Sequence, residues 1–532
     1  MFEGIIPRIF RVLLLTVFAY GVFHLAMIQL QWPPLITNEQ NRSFVLALGG
    51  LIALFALAPS RDWNDKTGNW QVWLWAILLI LFVPFLLLKY LMGVNDINTI
   101  IVFLNGTTVA DATTIGVAEF TGVIVKELVL YIAVLIAGFI LFRTTKYFNA
   151  VLIIAAMFLA VKHPVTQYVK NLIIPNPAHQ LVNMERDFFP PQISISAGKP
   201  KNLILIYLES MERTYLDVPK VQDAIQGMVA LADQGIDATN VVQVHGSHNS
   251  VAGLVSTQCG APLLASSRGN TLRQLVPLKS GFMETVDCLG DVLSEHGYTL
   301  SYLVGADINS YSLRTFLETH QYDRLFDVFS YTPEQMQGHL NVWGFDDKFL
   351  FDRAIEELDY LAGKDAPFVL SLSTMSTHGP DGFPDADCAY ETDLGYELPR
   401  AMYCTLEHLD RLLKHADEMG LMENTVVAVM SDHLAPPSSF DAELKSRTRR
   451  NYVVFPNAMP AQKIDKLATP LDVYPTIMEM LGFELEQHRA NFGVSLLSDT
   501  PSLINRFGEE LADQVFKGNS DISEPLWRMD GE

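Results

Sequence analysis

The sequence is short of basic residues, with 37 Lys and Arg against 59 Asp and Glu, and its formal net charge is −22. A protein that binds nucleic acid needs a basic surface, so this balance argues against nucleic-acid partners. No CxxC spacing occurs, which argues against a structural zinc site. The sequence also contains no internal repeat and no low-complexity tract. What remains is a chain of 532 residues with room for more than one domain.

Long apolar runs occupy the first third of the chain. A membrane span needs about 20 mostly apolar residues. The sequence predicts five spans, at 12–30, 43–59, 70–92, 123–142 and 148–162. The second and the fifth of these runs are shorter than the others. Together they predict a five-span transmembrane domain over residues 1–162.

The loops between these runs differ in their content of Lys and Arg. Basic residues precede the first span and lie between the second and third and between the fourth and fifth, whereas residues 93–124 contain none. Because positive loops mark the cytoplasmic side, we expect the N-terminus in the cytoplasm and everything after Lys162 outside. No small-residue cleavage site follows the first apolar run, so a cleaved signal peptide is not expected.

Cysteine is scarce and occurs only in the part of the chain expected outside. The four residues are Cys259, Cys288, Cys388 and Cys404. An even number of cysteines in an exported region favours two disulfides. We expect Cys259–Cys288 and Cys388–Cys404, because these pairs close short loops. The alternative is four reduced, buried thiols.

After the last apolar run, three segments of different character follow. Residues 163–198 contain several prolines and are predicted as a juxtamembrane linker. Residues 199–500 alternate between strands and helices, which is typical of a mainly parallel sheet with helices on both faces. Residues 501–532 are predicted as a C-terminal tail. The predicted strands are 202–208, 299–304, 367–373 and 425–431, and the predicted helices are 221–234, 346–362, 399–419 and 471–481.

Two predicted strands end in residues that can bind a metal ion. NLILIYL is followed by Glu209, and TVVAVMS is followed by Asp432 and His433. Sites in parallel sheets lie at the carboxyl ends of strands, and carboxylates with an imidazole can hold a divalent ion. The alternative is that the carboxylates cap the helices that follow, beside an ordinary histidine.

Ser250 is the candidate nucleophile, in the segment HGSHNSVAGLVSTQCG. Coordination by a metal ion lowers the pKa of a hydroxyl and activates it. If a helix starts here, its N-terminus would also favour a phosphate. The alternative is a helix cap, for which Ser247, Asn249 and Ser250 are all suitable. His245 and His248 flank the segment as candidate supporting or substrate-binding groups.

Three more residues are candidates for contacts with a substrate. His378 follows a strand end in SLSTMSTHGPDGF and could bind a phosphate oxygen or protonate a leaving group. Arg314 could clamp a phosphate through its planar guanidinium. Trp343 could stack on a sugar or glycerol, although packing is the favoured role. A solvent-exposed loop histidine and a helix-surface arginine are the alternatives for the first two.

Taken in order, these motifs resemble those of the alkaline phosphatase/sulfatase superfamily. Within it they are most similar to the membrane-bound phosphoglycerol transferase I family, with lipoteichoic acid synthases as relatives. LILIYLESMERTY resembles the family's first metal motif, SVAGLVSTQCGAPL resembles its nucleophile motif, and THGPDGF, SDHLA and PLDVYPTIMEMLG complete the series. The resemblance runs from about Asn202 to Leu497. It implies an α/β alkaline phosphatase/sulfatase-like domain after a multi-span α-helical membrane domain.

The resemblance also implies a site and a cofactor. It assigns the metal ligands to Glu209, Ser250, Asp432 and His433, with Ser250 as nucleophile and with His378 and Arg314 as phosphoglycerol contacts. The implied cofactor is a divalent metal, most often manganese, with magnesium and zinc as alternatives. Ser250 stands where these transferases commonly have threonine. Formylglycine-dependent sulfatases are excluded, because the proline and arginine of a CxPxR setting do not follow Ser250.

The implied function is metal-dependent transfer of phosphoglycerol from a phosphatidylglycerol-like lipid to a periplasmic glycan, through a covalent intermediate on Ser250. The acceptor would resemble an osmoregulated glucan. The enzyme would lie in a bacterial inner membrane with its catalytic domain in the periplasm. Alternatives are a phosphoethanolamine transferase, a lipoteichoic-acid-type glycerolphosphate polymerase and a headgroup phosphodiesterase. The intact ligand set argues against a catalytically inactive binding module.

Overall fold

The computed structural model describes residues 10, 12–18, 117–145, 148, 150–153, 176–195, 200–264, 281–436 and 438–527. The chain divides into two compact units. The first comprises residues 1–100 and 116–174, and the second comprises residues 101–115 and 175–532.

In the first unit, helix α1 runs from Val117 to Thr144 and contains the predicted span at 123–142. Residues 12–18 of the first predicted span and residues 148 and 150–153 of the fifth are also helical. The spans predicted at 43–59 and 70–92, and the rest of the first and fifth, lie outside the described residues. Judged by length and apolar character, none of the helices that the described residues form qualifies as a membrane span.

The second unit is built around one large sheet. The strands of this unit, numbered along the chain, are β1 Ile193–Ile195, β2 Asn202–Leu208, β3 Ile236–Ala238, β4 Thr299–Val304, β5 Arg324–Phe326, β6 Leu340–Asn341, β7 Gly344–Phe345, β8 Phe368–Ser373, β9 Thr425–Ser431, β10 Val453–Phe455, β11 Gln462–Ile464, β12 Phe483–Leu485, β13 Arg489–Ala490 and β14 Gly493–Val494. Eight strands form the sheet, in the order β11-β3-β10-β9-β2-β8-β4-β5. β2 pairs in parallel with β8 and β9, and within this sheet only β10 runs antiparallel to its neighbours. The predicted mainly parallel sheet is confirmed.

Helices cover both faces of this sheet. They are α2 Met184–Asp187, α3 Gln226–Gln234, α4 Ser250–Cys259, α5 Leu289–Glu295, α6 Leu313–Thr319, α7 Asp347–Ala362, α8 Leu398–Glu418, α9 Asp441–Lys445, α10 Val473–Met480, α11 Ile504–Phe507 and α12 Ser520–Leu526. Successive side chains of a strand point to opposite faces. Leu203, Leu205 and Tyr207 of β2 accordingly lie in a core with α4 and α10, whereas Ile204 and Ile206 lie in a second core with α7 and α8.

The predicted elements agree closely with the observed ones. Three of the four predicted strands have the observed bounds, and the fourth begins one residue later, at Phe368. Helices α3 and α10 begin later than predicted because 3-10 turns precede them, at Pro219–Val221 and Pro470–Asp472. Proline supplies no backbone N–H and fixes φ, so it is tolerated in such a first turn.

Parts of the predicted linker and tail are folded into the second unit. β1 pairs antiparallel with β12, and Arg506 contacts Asp187 at 2.6 Å. Phe516 and Leu526 are buried in the same core as Tyr207 of β2. The domain boundaries at 162, 198 and 500 stay predictions, but the described residues after 500 contribute to the core.

Both expected disulfides are present. Cys259 is bonded to Cys288, and Cys388 is bonded to Cys404. The first joins the last residue of α4 to the residue that precedes α5. The second lies between the 374–397 loop and α8.

Candidate active site

The three candidate ligands from the strand ends meet at one edge of the sheet. Leu208 of β2 lies opposite Ser431 of β9, so the next residues, Glu209 and Asp432, leave the sheet side by side. Ligand atoms of Glu209, Asp432 and His433 lie within 4.8 Å of one another. His433 Nε2 is 3.6 Å from Glu209 Oε1 and 3.4 Å from Asp432 Oδ2. All three side chains are buried.

Ser250 joins this group from helix α4. Its hydroxyl donates to Glu209 Oε2 at 3.0 Å. Of the three residues suitable as a cap, Asn249 is the one that caps α4, since its side chain accepts from the Ala252 amide at 3.0 Å. Ser250 is therefore the first residue of the helix, with its side chain turned to the carboxylate. The structure therefore brings the sequence motif and the two strand ends together.

Helix α4 packs directly on the backbone of Asp432. A Cβ atom added at Gly253 would lie 1.9 Å from the carbonyl oxygen of Asp432. Any larger residue would push the helix away from the sheet edge, and Ser250 with it. Gly253 therefore sets the distance between the candidate nucleophile and the strand-end carboxylates.

Backbone and side-chain donors fix the orientation of the ligands. The amides of Ser210 and His433 both donate to Asp432 Oδ1, at 2.9 and 2.8 Å. Ser210 adopts a left-handed φ of 58°, and its hydroxyl donates to Glu209 Oε1 at 2.6 Å. His433 Nδ1 lies 2.8 Å from the carbonyl of Leu434, which accepts its proton. Nε2 then faces the carboxylates, which is the arrangement of metal-binding histidines.

Burial and charge make this site suited to a cation. Burial raises the pKa of Asp432, and the neighbouring charge of Glu209 raises it further. Burial lowers the pKa of His433, but the charges of Asp432 and Glu209 outweigh this and raise it overall. Two carboxylates, a hydroxyl and an imidazole form a mixed oxygen and nitrogen donor set. These residues fit a divalent metal ion.

A buried ion pair that the sequence did not indicate supports the loop after β9. Glu212 is fully buried and accepts from Arg449 Nε at 3.0 Å, with a second bond from Nη2 to its other oxygen. The same carboxylate accepts from the Ala435 amide at 2.8 Å, and Arg449 Nη2 donates to the Ala435 carbonyl at 2.7 Å. The ion pair thereby holds the backbone of Ala435 in place, two residues beyond His433.

His378 and Trp343 lie against each other. Their ring centroids are 4.1 Å apart at an interplanar angle of 38°. His378 Nδ1 lies 2.9 Å from the Gly379 carbonyl. Burial lowers the pKa of His378 to about 4, and the charges of His433 and Asp432 act on it as well. His378 is therefore a neutral ring within the electrostatic reach of the candidate metal ligands.

Arg314 is held by a different set of contacts. Its Nε donates to the Asn309 side chain at 2.9 Å, and its guanidinium lies 3.7 Å from Asp327 and 3.5 Å from Glu318. Among the described residues, Arg314 forms no hydrogen bond or ion pair with Glu209. Arg314 lies on α6, which follows the carboxyl end of β4. Its role as a phosphate clamp stays a prediction.

Tyr311 is a neighbour of the site that sequence reasoning missed. Burial raises the pKa of its phenol, and the charge of Glu209 raises it further. Tyr311 and Ser312 have φ angles of 56° and 60°, a left-handed conformation that is costly for residues other than glycine. The sequence NSYSLR does not predict this left-handed turn, because neither Tyr311 nor Ser312 is glycine or asparagine.

Parts of the chain are similar to known proteins. A model of the Sulfatase family matches residues 201–483. A "Phosphoglycerol transferase I" of Xanthomonas campestris pv. campestris is 28% identical over 474 residues, which cover 86% of this chain and 65% of that protein. One of Citrobacter koseri is 31% identical over 290 residues, which cover 53% of this chain and 37% of that protein. The chain thus spans less than two thirds of the length of these relatives.

The chain also matches parts of two solved structures. An alkaline phosphatase superfamily protein from Vibrio parahaemolyticus is 22% identical, with a TM-score of 0.47, and the match covers 61% of this chain and 78% of that one. The lipoteichoic acid synthase LtaP from Listeria monocytogenes is 17% identical, with a TM-score of 0.45, and the match covers 63% of this chain and 94% of that one.

Proposed function

The chain belongs to the Sulfatase family, and on this premise we propose that it transfers phosphoglycerol from a phosphatidylglycerol-like lipid to a glycan. The observation that carries the proposal is the position of Ser250. Ser250 is the first residue of helix α4, and its hydroxyl lies 3.0 Å from the Glu209 carboxylate. This carboxylate belongs to the same site as Asp432 and His433. A helix N-terminus attracts a phosphate group. The relatives named phosphoglycerol transferase I support phosphoglycerol as the transferred group.

In the first step, Ser250 Oγ attacks the phosphorus of the lipid headgroup. The bond between phosphorus and the glycerol oxygen of diacylglycerol breaks, and diacylglycerol leaves with a proton. The phosphoglycerol group is then esterified to Ser250. Glu209, Asp432 and His433 would hold a divalent ion, which would supply positive charge to stabilise the deprotonated hydroxyl and the transition state. Manganese is the proposed ion, with magnesium and zinc as alternatives.

In the second step, a sugar hydroxyl attacks the same phosphorus and releases Ser250. His378 is suited to take the proton of that hydroxyl. Its Nδ1 proton is held by Gly379, which leaves a lone pair on Nε2, and its pKa of about 4 keeps the ring neutral. At neutral pH the ring carries no proton to donate from Nε2, so this role is favoured over protonation of the leaving group, and the proton then passes to Ser250 Oγ as the bond between phosphorus and Ser250 breaks. We assign Trp343 to the acceptor sugar or glycerol and Arg314 to the phosphate.

The proposed setting is a bacterial inner membrane. Five spans over residues 1–162 would hold the catalytic domain in the periplasm, with the N-terminus in the cytoplasm. An anchored domain stays near the headgroup layer, which suits a lipid donor. An osmoregulated glucan-like acceptor belongs to the same compartment.

The test is incubation of the detergent-solubilised chain with labelled phosphatidylglycerol, with and without periplasmic glucans. We expect diacylglycerol release and label on the glucan. Ser250→Ala should lower both by orders of magnitude, while Ser256→Ala, which removes a hydroxyl elsewhere on α4, should not.

The same assay separates the alternatives. Release of free glycerophosphate without use of glucan would identify a phosphodiesterase. Label that enters a glycerolphosphate polymer, or turnover only with phosphatidylethanolamine, would identify the other two transferases. Turnover by Ser250→Ala at the wild-type rate would refute the covalent mechanism.

A further inference from the structure

A second group of metal-binding side chains lies beside the nucleophile segment. His245, His248 and Asp513 each offer a ligand atom, and these atoms lie within 4.8 Å of one another. The two histidines precede helix α4, whereas Asp513 belongs to the segment predicted as a tail, 265 or more residues away. None of the three belongs to the candidate centre of Glu209, Asp432 and His433.

The distances within this group differ from those of ordinary hydrogen-bonded pairs. His245 Nδ1 and His248 Nε2 lie 3.3 and 3.2 Å from the same oxygen, Asp513 Oδ1. Five other histidine–carboxylate pairs among the described residues are separated by 2.6 to 3.1 Å. The His433 contacts in the candidate metal centre are also long, at 3.4 and 3.6 Å. The separations in the second group thus lie between those of the hydrogen-bonded pairs and those of the candidate metal centre.

Tetrahedral coordination accounts for such spacing. Zinc lies about 2.0 to 2.2 Å from imidazole nitrogen and carboxylate oxygen, which puts neighbouring ligand atoms about 3.3 to 3.5 Å apart. The separations of 3.2 and 3.3 Å are close to this range. We propose that His245, His248 and Asp513 form a second metal site, and that it binds Zn²⁺.

The donor set and its exposure support zinc. Two imidazoles and one carboxylate are softer than the oxygen-rich first centre, and imidazole suits zinc. The His245 side chain is 8% exposed, whereas those of His248 and Asp513 are 37% and 52% exposed. The buried histidine anchors the site, and the two outer ligands leave a side that water can reach to complete the coordination.

Two neighbours adjust when an ion binds. The Gly246 amide donates to His248 Nδ1 at 3.3 Å. This hydrogen bond must break when an ion binds, because a ring bound through Nε2 carries its proton on Nδ1. Lys517 Nζ lies 3.6 Å from the other oxygen of Asp513 and reduces the negative charge of the site. An ion bound here would link the loop that presents Ser250 to the C-terminal segment.

Zinc stoichiometry of the purified full chain tests this site separately from the first. Wild type should bind about two equivalents in calorimetry and elemental analysis. Glu209→Gln/Asp432→Asn disables the first centre and should bind about one. Adding His245→Asn and His248→Asn to that background should abolish the remaining binding. The matched control in the same background is His415→Asn, since His415 is paired with Asp359 at 2.7 Å and belongs to neither centre.

Either of two results would overturn the proposal. One is that Glu209→Gln/Asp432→Asn binds no zinc while its thermal unfolding remains cooperative. The other is that it still binds one equivalent after both histidines are replaced. Asp513→Asn keeps the side-chain volume and gives a third variant, which should weaken zinc binding if the histidine variants do not fold.

Discussion

Arg449→Met should destabilise the protein strongly, because it leaves Glu212 charged and buried without its counter-charge. Glu212 has no exposed surface and accepts two bonds from Arg449 and one from the Ala435 amide. In the variant, Glu212 keeps only the hydrogen bond from the Ala435 amide. Removal of one partner from a buried ion pair costs about 3 to 5 kcal/mol. Metal affinity should fall too, because Ala435 lies two residues after His433.

The measurement is denaturant unfolding of the full chain, followed by circular dichroism, together with titration of the divalent metal. Glu212→Gln/Arg449→Met is the matched variant, since it removes the stranded charge as well. It should recover a large part of the lost free energy of unfolding. The interpretation fails if Arg449→Met lowers the free energy of unfolding by less than about 1 kcal/mol, or if the double variant is no more stable than the single one.

Three further predictions concern the metal, a histidine and the disulfides. Asp432→Asn should lose most of the metal bound at the first centre, whereas Asp441→Asn should keep it; full occupancy in Asp432→Asn by elemental analysis would contradict the ligand assignment. His378 has a folded pKa of about 4, below the ordinary histidine value, so the unfolded chain takes up its proton first. The free energy of unfolding should therefore fall as the pH drops from about 6.5 to 4, and this part of the loss should be absent in His378→Gln. Mass mapping without reductant should find Cys259–Cys288 and Cys388–Cys404 in protein taken from its native membrane; four free thiols would refute both the pairing and the expected orientation.

The strands and the candidate ligands at their ends could be predicted because they depend on local patterns. An apolar run that stops at Glu209 or Asp432 marks a strand end, and in-register pairing of β2 with β9 then brings the two residues together. The pairing of cysteines followed from the short loops. These inferences needed only sequence spacing and the rule that parallel strands share an edge.

Other parts of the site depend on contacts between distant loops, which leave no periodic signal. Glu212 contacts Arg449, which lies 237 residues later in the chain, and His248 contacts Asp513, which lies 265 residues later. The closeness of Gly253 to Asp432 is set by helix–sheet packing and not by any turn. Residues 501–532 are predicted only as a C-terminal tail, yet Phe516 is buried.

The sheet order has a consequence for how the protein is made. β2 is the first of the eight sheet strands to be synthesised, but one of its two neighbours is β9. The amide of Ser210 donates to Asp432, so this hydrogen bond cannot form until another 222 residues have been synthesised. At about 5 to 20 residues per second, translation of that interval takes roughly 10 to 45 seconds. A nascent chain therefore carries the candidate nucleophile Ser250 for many seconds before Asp432 and His433, the later members of the candidate site, have been synthesised.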